Sequence, residues 1–136
     1  MQELTIHTKS RIEMTDITDQ IRKLLQQNPI DCGLCHIFVP HTTAAVTINE
    51  NADPDVPKDL IQTLERLVPY RGSYHHAEGN ADAHIKTMLT GNAVLVPVNR
   101  SRLILGTWQS IFFCEYDGPR TRKILVTFFS SQSQNA

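Results

Sequence analysis

Six histidines punctuate the chain, and three of them, His41, His76 and His84, fall in or beside polar segments that favour turns. Their spacing matches no local zinc motif. Three histidines drawn from separate stretches can nevertheless hold a catalytic zinc and leave a fourth position for water or substrate, although a histidine on a loop is more commonly a solvated polar residue. His75 and His76 are adjacent, and in extended backbone their rings point to opposite sides, so at most one readily joins such a site. His41-Thr42-Thr43 offers an imidazole and two hydroxyls at a bend, a composition suited to phosphate oxygens, with Arg120 and its basic neighbours able to add charge. Ordinary turn chemistry explains the Thr-Thr pair equally well. Walker A, dinucleotide-glycine and G-x-S-x-G patterns are absent.

A second polar constellation surrounds the single tryptophan, in Gly106-Thr107-Trp108-Gln109 and the acidic strand end at Glu115. Buried polar groups must find partners, so a lone Trp among hydrogen-bonding side chains points to the lining of a site. Alternation places Gln109, Ile111, Phe113 and Glu115 on one side of this strand and Trp108, Ser110, Phe112 and Cys114 on the other. The alternative makes Trp108 core, Gln109 a satisfied amide and Glu115 an ion-pair partner of Arg120 or Arg122. Cys32-Gly33-Leu34-Cys35-His36 formally matches a haem-attachment pattern, but reads better as small residues opening a strand, since no second Cys pair exists.

The elements that must position these groups follow from periodicity. Alternating apolar residues around Leu4 and Ile6, then Ile12 and Met14, predict two short strands. Ile17, Ile21, Leu24 and Leu25 recur at helical spacing after a Thr15 cap, and Asn28-Pro29 stops that helix. Strands are expected over 34–39 and 44–48, with Pro40-His41-Thr42-Thr43 between them. A second helix carries Val56, Leu60, Leu64, Leu67 and Val68 on one face and ends at Pro69. The segment 70–83 is a loop, and Asn80 caps a short helix that reaches Leu89 and ends at Gly91. Strands at 93–98, 102–105, 107–116 and 122–129 complete the chain, the last two read as a hairpin across Asp117-Gly118-Pro119-Arg120. The pattern predicts an α+β fold, an antiparallel or mixed β-sandwich with two to three helices, in one domain over 1–136 with a frayed tail at 130–136.

A formal charge of -1 supplies no basic field for nucleic acid, and no run approaches the ~18 apolar residues of a membrane span. Without a signal peptide, and with an odd count of three cysteines, the chain reads as cytoplasmic.

Pro40-His41-Thr42-Thr43-Ala44, Asn49-Glu50-Asn51, His76, Glu78-Gly79, His84-Ile85-Lys86, Gly106-Thr107-Trp108-Gln109 and Asp117-Gly118-Pro119-Arg120 occur in an order that resembles the YjbQ-like family. Its members are called secondary thiamine-phosphate synthases. The resemblance implies a homotrimer of α+β sandwiches with a divalent metal, zinc or, with a diphosphate substrate, magnesium, held by His41, His76 and His84; an alternative register exchanges His75 for His76. It implies a small phosphorylated substrate bound by Thr42, Thr43, Asn49, Trp108, Gln109 and Arg120, with Glu50 or Glu115 steering the chemistry. The activity implied is condensation of hydroxymethylpyrimidine diphosphate with thiazole phosphate, as a backup activity. The rivals are a metal-dependent hydrolase and a non-catalytic trimeric metal- or ligand-binding protein. Trimer assembly is also expected because Ile124, Val126 and Phe128 give the final strand more apolar surface than one subunit readily buries.

Overall fold

The structure, a computed structural model, describes residues 1–131. The first strand, β1 (Gln2–His7), turns through Lys9 and Ser10, whose backbone N–H groups both donate to the Glu13 carboxylate, into β2 (Glu13–Asp16). Helix α1 (Thr18–Gln27) has Ile17, not Thr15, at its N-cap, and just before it Asp16 Oδ1 accepts from the Thr18 amide at 2.9 Å and from its hydroxyl at 2.6 Å. The helix ends at Asn28, whose side-chain amide donates back to the Leu24 carbonyl. β3 (Gly33–Phe38) and β4 (Ala44–Glu50) flank the His41 bend, followed by α2 (Asp55–Leu67) and, after the loop, α3 (Ala81–Thr90). β5 (Ala93–Asn99), a two-residue β6 (Arg102–Leu103), β7 (Gln109–Glu115) and β8 (Thr121–Ser130) follow. Ser130 therefore belongs to a strand, the Ser131 N–H donates to the Cys32 carbonyl at 2.9 Å, and the rest of the expected frayed tail, 132–136, lies outside the described residues.

The eight strands form two antiparallel sheets, β1-β8-β3-β5-β6 and β2-β7-β4. The α+β sandwich expected from periodicity is present, with three helices. The expected hairpin between the last two strands is not. Both edges of β7 are taken by β2 and β4, and both edges of β8 by β1 and β3, so Asp117–Arg120 is a crossover from one sheet to the other. The pairing of buried Glu115 with buried Arg122 spans this crossover.

Layering follows from the two faces of β7. Ile111 and Phe113 point into the main core with Ile37, Val96, Ile124, Val126 and the inner face of α1, which fills the space between the sheets. Phe112 and Cys114 point the other way and pack with Ala45, Ala83 and Leu64 under α2 and α3. Ile124 and Val126 are thus fully buried within this one subunit, contrary to the expectation that they leave apolar surface uncovered. Uncovered apolar surface lies instead on the outer face of the five-stranded sheet, at Leu34, Leu95 and Phe129.

The helical layer is fastened by charge. Lys86 of α3 is completely buried, with its ammonium 2.8 Å from Asp82 and also bonded to Glu65 of α2, and Arg11 bonds the same two carboxylates from the β1–β2 turn. A buried lysine is tolerated only with such pairing. The network sets the position of α3, which carries Asn80 and His84 to the site described next.

Candidate functional site

Two sheet-to-sheet crossovers meet at one end of the sandwich: the His41–Thr43 bend joining β3 to β4, and the Asp117–Arg120 turn joining β7 to β8. The N-terminal end of α3 lies beside them. Together they enclose an open cavity of about 550 Å³ whose polar walls include His41, Thr42, Thr43, His84, Arg120 and Arg122. The bend is held in place by sheet logic. Beyond the last β3–β8 pair, Phe38 with Leu125, Pro40 would face Lys123, and there the His41 ring supplies the acceptor, its Nε2 taking the Lys123 N–H at 3.0 Å.

That bond fixes the tautomer of His41, because a ring whose Nε2 accepts must carry its proton on Nδ1 when neutral. Burial pushes the His41 pKa below the ordinary histidine value, and the Arg122 charge lowers it further, against smaller opposing contributions from the Lys123 bond and Glu115. His41 is therefore a neutral Nδ1–H donor. Arg122 is only 4% exposed, so its charge survives through bonds to Glu115, Nε to Oε1 at 2.8 Å and Nη2 to Oε2, while Nη2 also donates to the Thr43 hydroxyl at 2.9 Å. Nη1 makes no hydrogen bond among the described residues, and Arg122 is one of the residues that line the cavity. Arg120 is oriented by Asp117, whose carbonyl accepts from Nε at 2.8 Å and whose carboxylate accepts from Nη2 at 3.0 Å. Asn80 donates to the same carboxylate at 2.8 Å, so its amide serves the pocket wall, and its side chain makes no helix-cap bond.

Of the residues singled out from sequence, the fold brings together His41, Thr42, Thr43, His84 and Arg120. His76 sits one ring away, edge-on to His84 with centroids 5.1 Å apart, and faces Glu78 at 3.6 Å. Asn49 and Glu50 lie at the far end of β4, paired with Ser110 and Gln109, about 20 Å along the strand from the bend. Trp108 is 64% exposed and Gln109 turns back onto the Gly106 amide at 2.7 Å, so neither walls the cavity. Glu115 lies behind the site with both oxygens occupied, by Thr8, Arg122 and the Asp117 amide, and orients Arg122 without reaching the cavity. From sequence, Arg122 is one of the basic neighbours of Arg120 and an ion-pair partner for Glu115, without a place of its own in the site. Its signal was positional: alternation places it on the same inward face as Ile124 and Val126, where an unpaired charge would not survive.

The three histidines expected to hold zinc do not fit that role in this arrangement. The Nε2 lone pair of His41 is spent on Lys123, and no group of three or more His, Cys, Asp or Glu is gathered closely enough for a metal among the described residues.

A family model described as UPF0047 protein YjbQ-like matches residues 2–131. The chain is 49% identical over 127 residues to UPF0047 protein YugU of Bacillus subtilis, covering 93% of this chain and 96% of that one. It is 42% identical over 118 residues to UPF0047 protein YjbQ of Salmonella typhimurium, covering 82% and 84%. A crystal structure from Clostridium acetobutylicum, described as an uncharacterized conserved protein of the yjbq/upf0047 family, superposes with a TM-score of 0.93 at 42% identity, over 95% of this chain and 100% of that one. Another from Sulfolobus solfataricus, described as a protein of unknown function, gives 0.91 at 33% identity over 96% of both chains. These findings overturn the thiamine-phosphate synthase expectation. The relatives carry a family designation and no such activity, and the metal site on which the proposed chemistry depended is not assembled.

Proposed function

Since the chain belongs to the YjbQ-like UPF0047 family, whose designation leaves the chemistry to be read from the site, we propose that the crossover pocket binds a small phosphorylated compound through its phosphoryl oxygens. The observation that carries this reading is the state of Arg122: a buried guanidinium on a residue that lines the cavity, with Nε and Nη2 committed to Glu115 and Thr43 and Nη1 without a hydrogen bond among the described residues. A preorganised, desolvated donor loses little on binding an anion, and a charge-assisted bond there is stronger than one in water. Around it stand further donors: the His41 Nδ1–H, the Thr43 hydroxyl proton, the Thr42 hydroxyl and Arg120. His84 shares this wall and is the group there suited to passing a proton to or from a bound ester oxygen.

Calorimetric titration with inorganic phosphate and simple phosphate monoesters tests this. Arg120→Ala removes one charged donor from an exposed position and is expected to weaken binding roughly tenfold. Absence of binding at millimolar ligand, or an Arg120→Ala titration identical to that of the parent, refutes the reading.

Self-association as a homotrimer belongs to the same proposal. Leu34 and Phe129 are register partners on the outer face of the five-stranded sheet and are 41% and 55% exposed, with Leu95 at 56% on the neighbouring β5. Contiguous apolar surface of this kind favours contact between copies. Light scattering that gives the mass of one chain at micromolar concentration rejects it.

A further inference from the structure

A second cavity, of about 460 Å³, adjoins the phosphoryl pocket and shares His41, Thr42, His84 and Asn92 with it. Its remaining walls are Thr87, Met88 and Gly91. The two spaces differ in chemistry. The first has Glu78, Asp117, Arg120 and Arg122 in its walls, whereas the annex has no carboxylate, ammonium or guanidinium. Met88 presents its thioether there and is 74% exposed although it sits on a helix whose other face is buried. At Gly91, where φ is +103°, an added Cβ would find no atom within 4 Å, so the space beside this wall residue is open. Thr87 is only 8% exposed and its Oγ1 has no hydrogen-bond partner among the described residues. A threonine in a helix normally satisfies its hydroxyl on the preceding turn, as Thr90 does on the Lys86 carbonyl at 2.9 Å. Its unmet state costs stability, and because the oxygen itself is closed to solvent, a ligand group meets it once the Thr87 side chain turns toward the annex it lines.

We infer that the annex receives the uncharged part of the ligand, so that the compound bound is a phosphate monoester of a short, neutral alcohol carrying one further hydroxyl or carbonyl for Thr87. The inference rests on the phosphoryl-pocket reading and narrows it. The shared rim of His41, Thr42, His84 and Asn92 sets the point where the ester oxygen lies, with charge on one side and the soft Met88 and Gly91 surface on the other. A diphosphate would place a second set of negative oxygens against walls that offer no cation, and free phosphate would leave the annex unused.

The experiment compares inorganic phosphate, propyl phosphate and 3-hydroxypropyl phosphate by calorimetry on the full chain, with Met88→Trp and Thr87→Val as variants. At ~0.8 kcal/mol for each buried methylene, with part of the tail still wet, propyl phosphate is expected to bind about tenfold more tightly than phosphate. Met88→Trp, a change at an exposed position that fills the annex mouth, is expected to erase that advantage and leave phosphate binding within twofold. Thr87→Val keeps the shape and is expected to lower affinity for the hydroxylated ester alone, with no loss of thermal stability. Methyl NMR shifts at Met88 on adding propyl phosphate, and not on adding phosphate, provide the local readout. Equal affinity of phosphate and both esters overturns the inference while the phosphoryl pocket stands, and so does a Met88→Trp effect that is equal on all three. If none of the three binds, both readings fall together.

Discussion

Replacing Glu115 by Gln exchanges one carboxylate oxygen for an amide nitrogen at the point where the two sheets are tied. The native carboxylate accepts from the Thr8 hydroxyl at 2.8 Å, from Arg122 Nε at 2.8 Å, from the Asp117 amide at 3.1 Å and from Arg122 Nη2. A glutamine retains one oxygen for two of these donors and turns an NH₂ group toward the others, while the guanidinium, 4% exposed, loses its counter-charge. Breaking one side of a buried pair costs about 3–5 kcal/mol, a large share of the ~5–15 kcal/mol by which a domain is stable. Urea unfolding at pH 7 is expected to show a midpoint shift of that size with an unchanged slope, and thermal melting a drop of roughly 10–20 °C. The double replacement Glu115→Leu with Arg122→Met removes both charges and is expected to recover much of the loss. A Glu115→Gln protein within about 1 kcal/mol of the parent would falsify the description of this pair as the buried tie between sheets.

Acidification supplies a second test. Because the folded-state pKa of His41 lies below its unfolded value of about 6.5, the unfolded chain binds the extra proton first; stability therefore falls as pH drops from near 6.5 through the folded value and then levels off. His41→Gln should flatten that segment of a stability–pH curve measured by urea titration, and an unaltered slope refutes the assignment. For Glu13 and Asp16, burial raises the pKa but hydrogen bonds outweigh it and leave both lowered, so their contribution is present above about pH 4 and disappears below it. The thiols of Cys35 and Cys114 are pushed up to about 12 by burial, so iodoacetamide at pH 8 should modify Cys32 and spare both in the native protein by peptide mass mapping; labelling of Cys114 before unfolding contradicts its placement. Gly118→Ala would bring a Cβ to 2.2 Å from the Ser10 carbonyl oxygen and 2.8 Å from the Glu115 side chain, and should destabilise the fold by roughly 2–3 kcal/mol in the same urea assay.

Local signals in the sequence were sufficient for most of the elements. The helical spacing of Ile17, Ile21 and Leu25, the stop at Asn28-Pro29 and the glycine at the end of α3 are all decided within a few residues, and each appears where periodicity puts it. Partner choice between strands is not local. The Asp117-Gly118-Pro119-Arg120 turn has the composition of a hairpin, but strand pairing depends on which edges are already filled by residues a hundred positions away. The site divides along the same line. Histidines and threonines at a strand break could be recognised as pocket candidates, because turn chemistry is local. For Trp108, Gln109 and Glu50, alternation fixes the face of a strand on which a side chain lies and says nothing about which end of the strand meets the cavity. Arg122 needed the inward register of β8 to be known before its role could be seen.

The place of β8 in the five-stranded sheet bears on how the protein can be made. Gln2 pairs with Val126 and His7 with Thr121, so the earliest strand of the chain has its one neighbour in the latest described strand, and β3 also waits for β8 on one edge. A ribosome adding ~5–20 residues per second exposes β1 for several seconds before that neighbour exists. During this interval β1 and β3 present open edges, the condition that favours pairing with other nascent chains. Folding must then be a late, cooperative step governed by long-range closure, in the slow regime typical of such topologies. A shortened chain lacking β8 would lose the interior strand that joins β1 to β3 rather than a dispensable end.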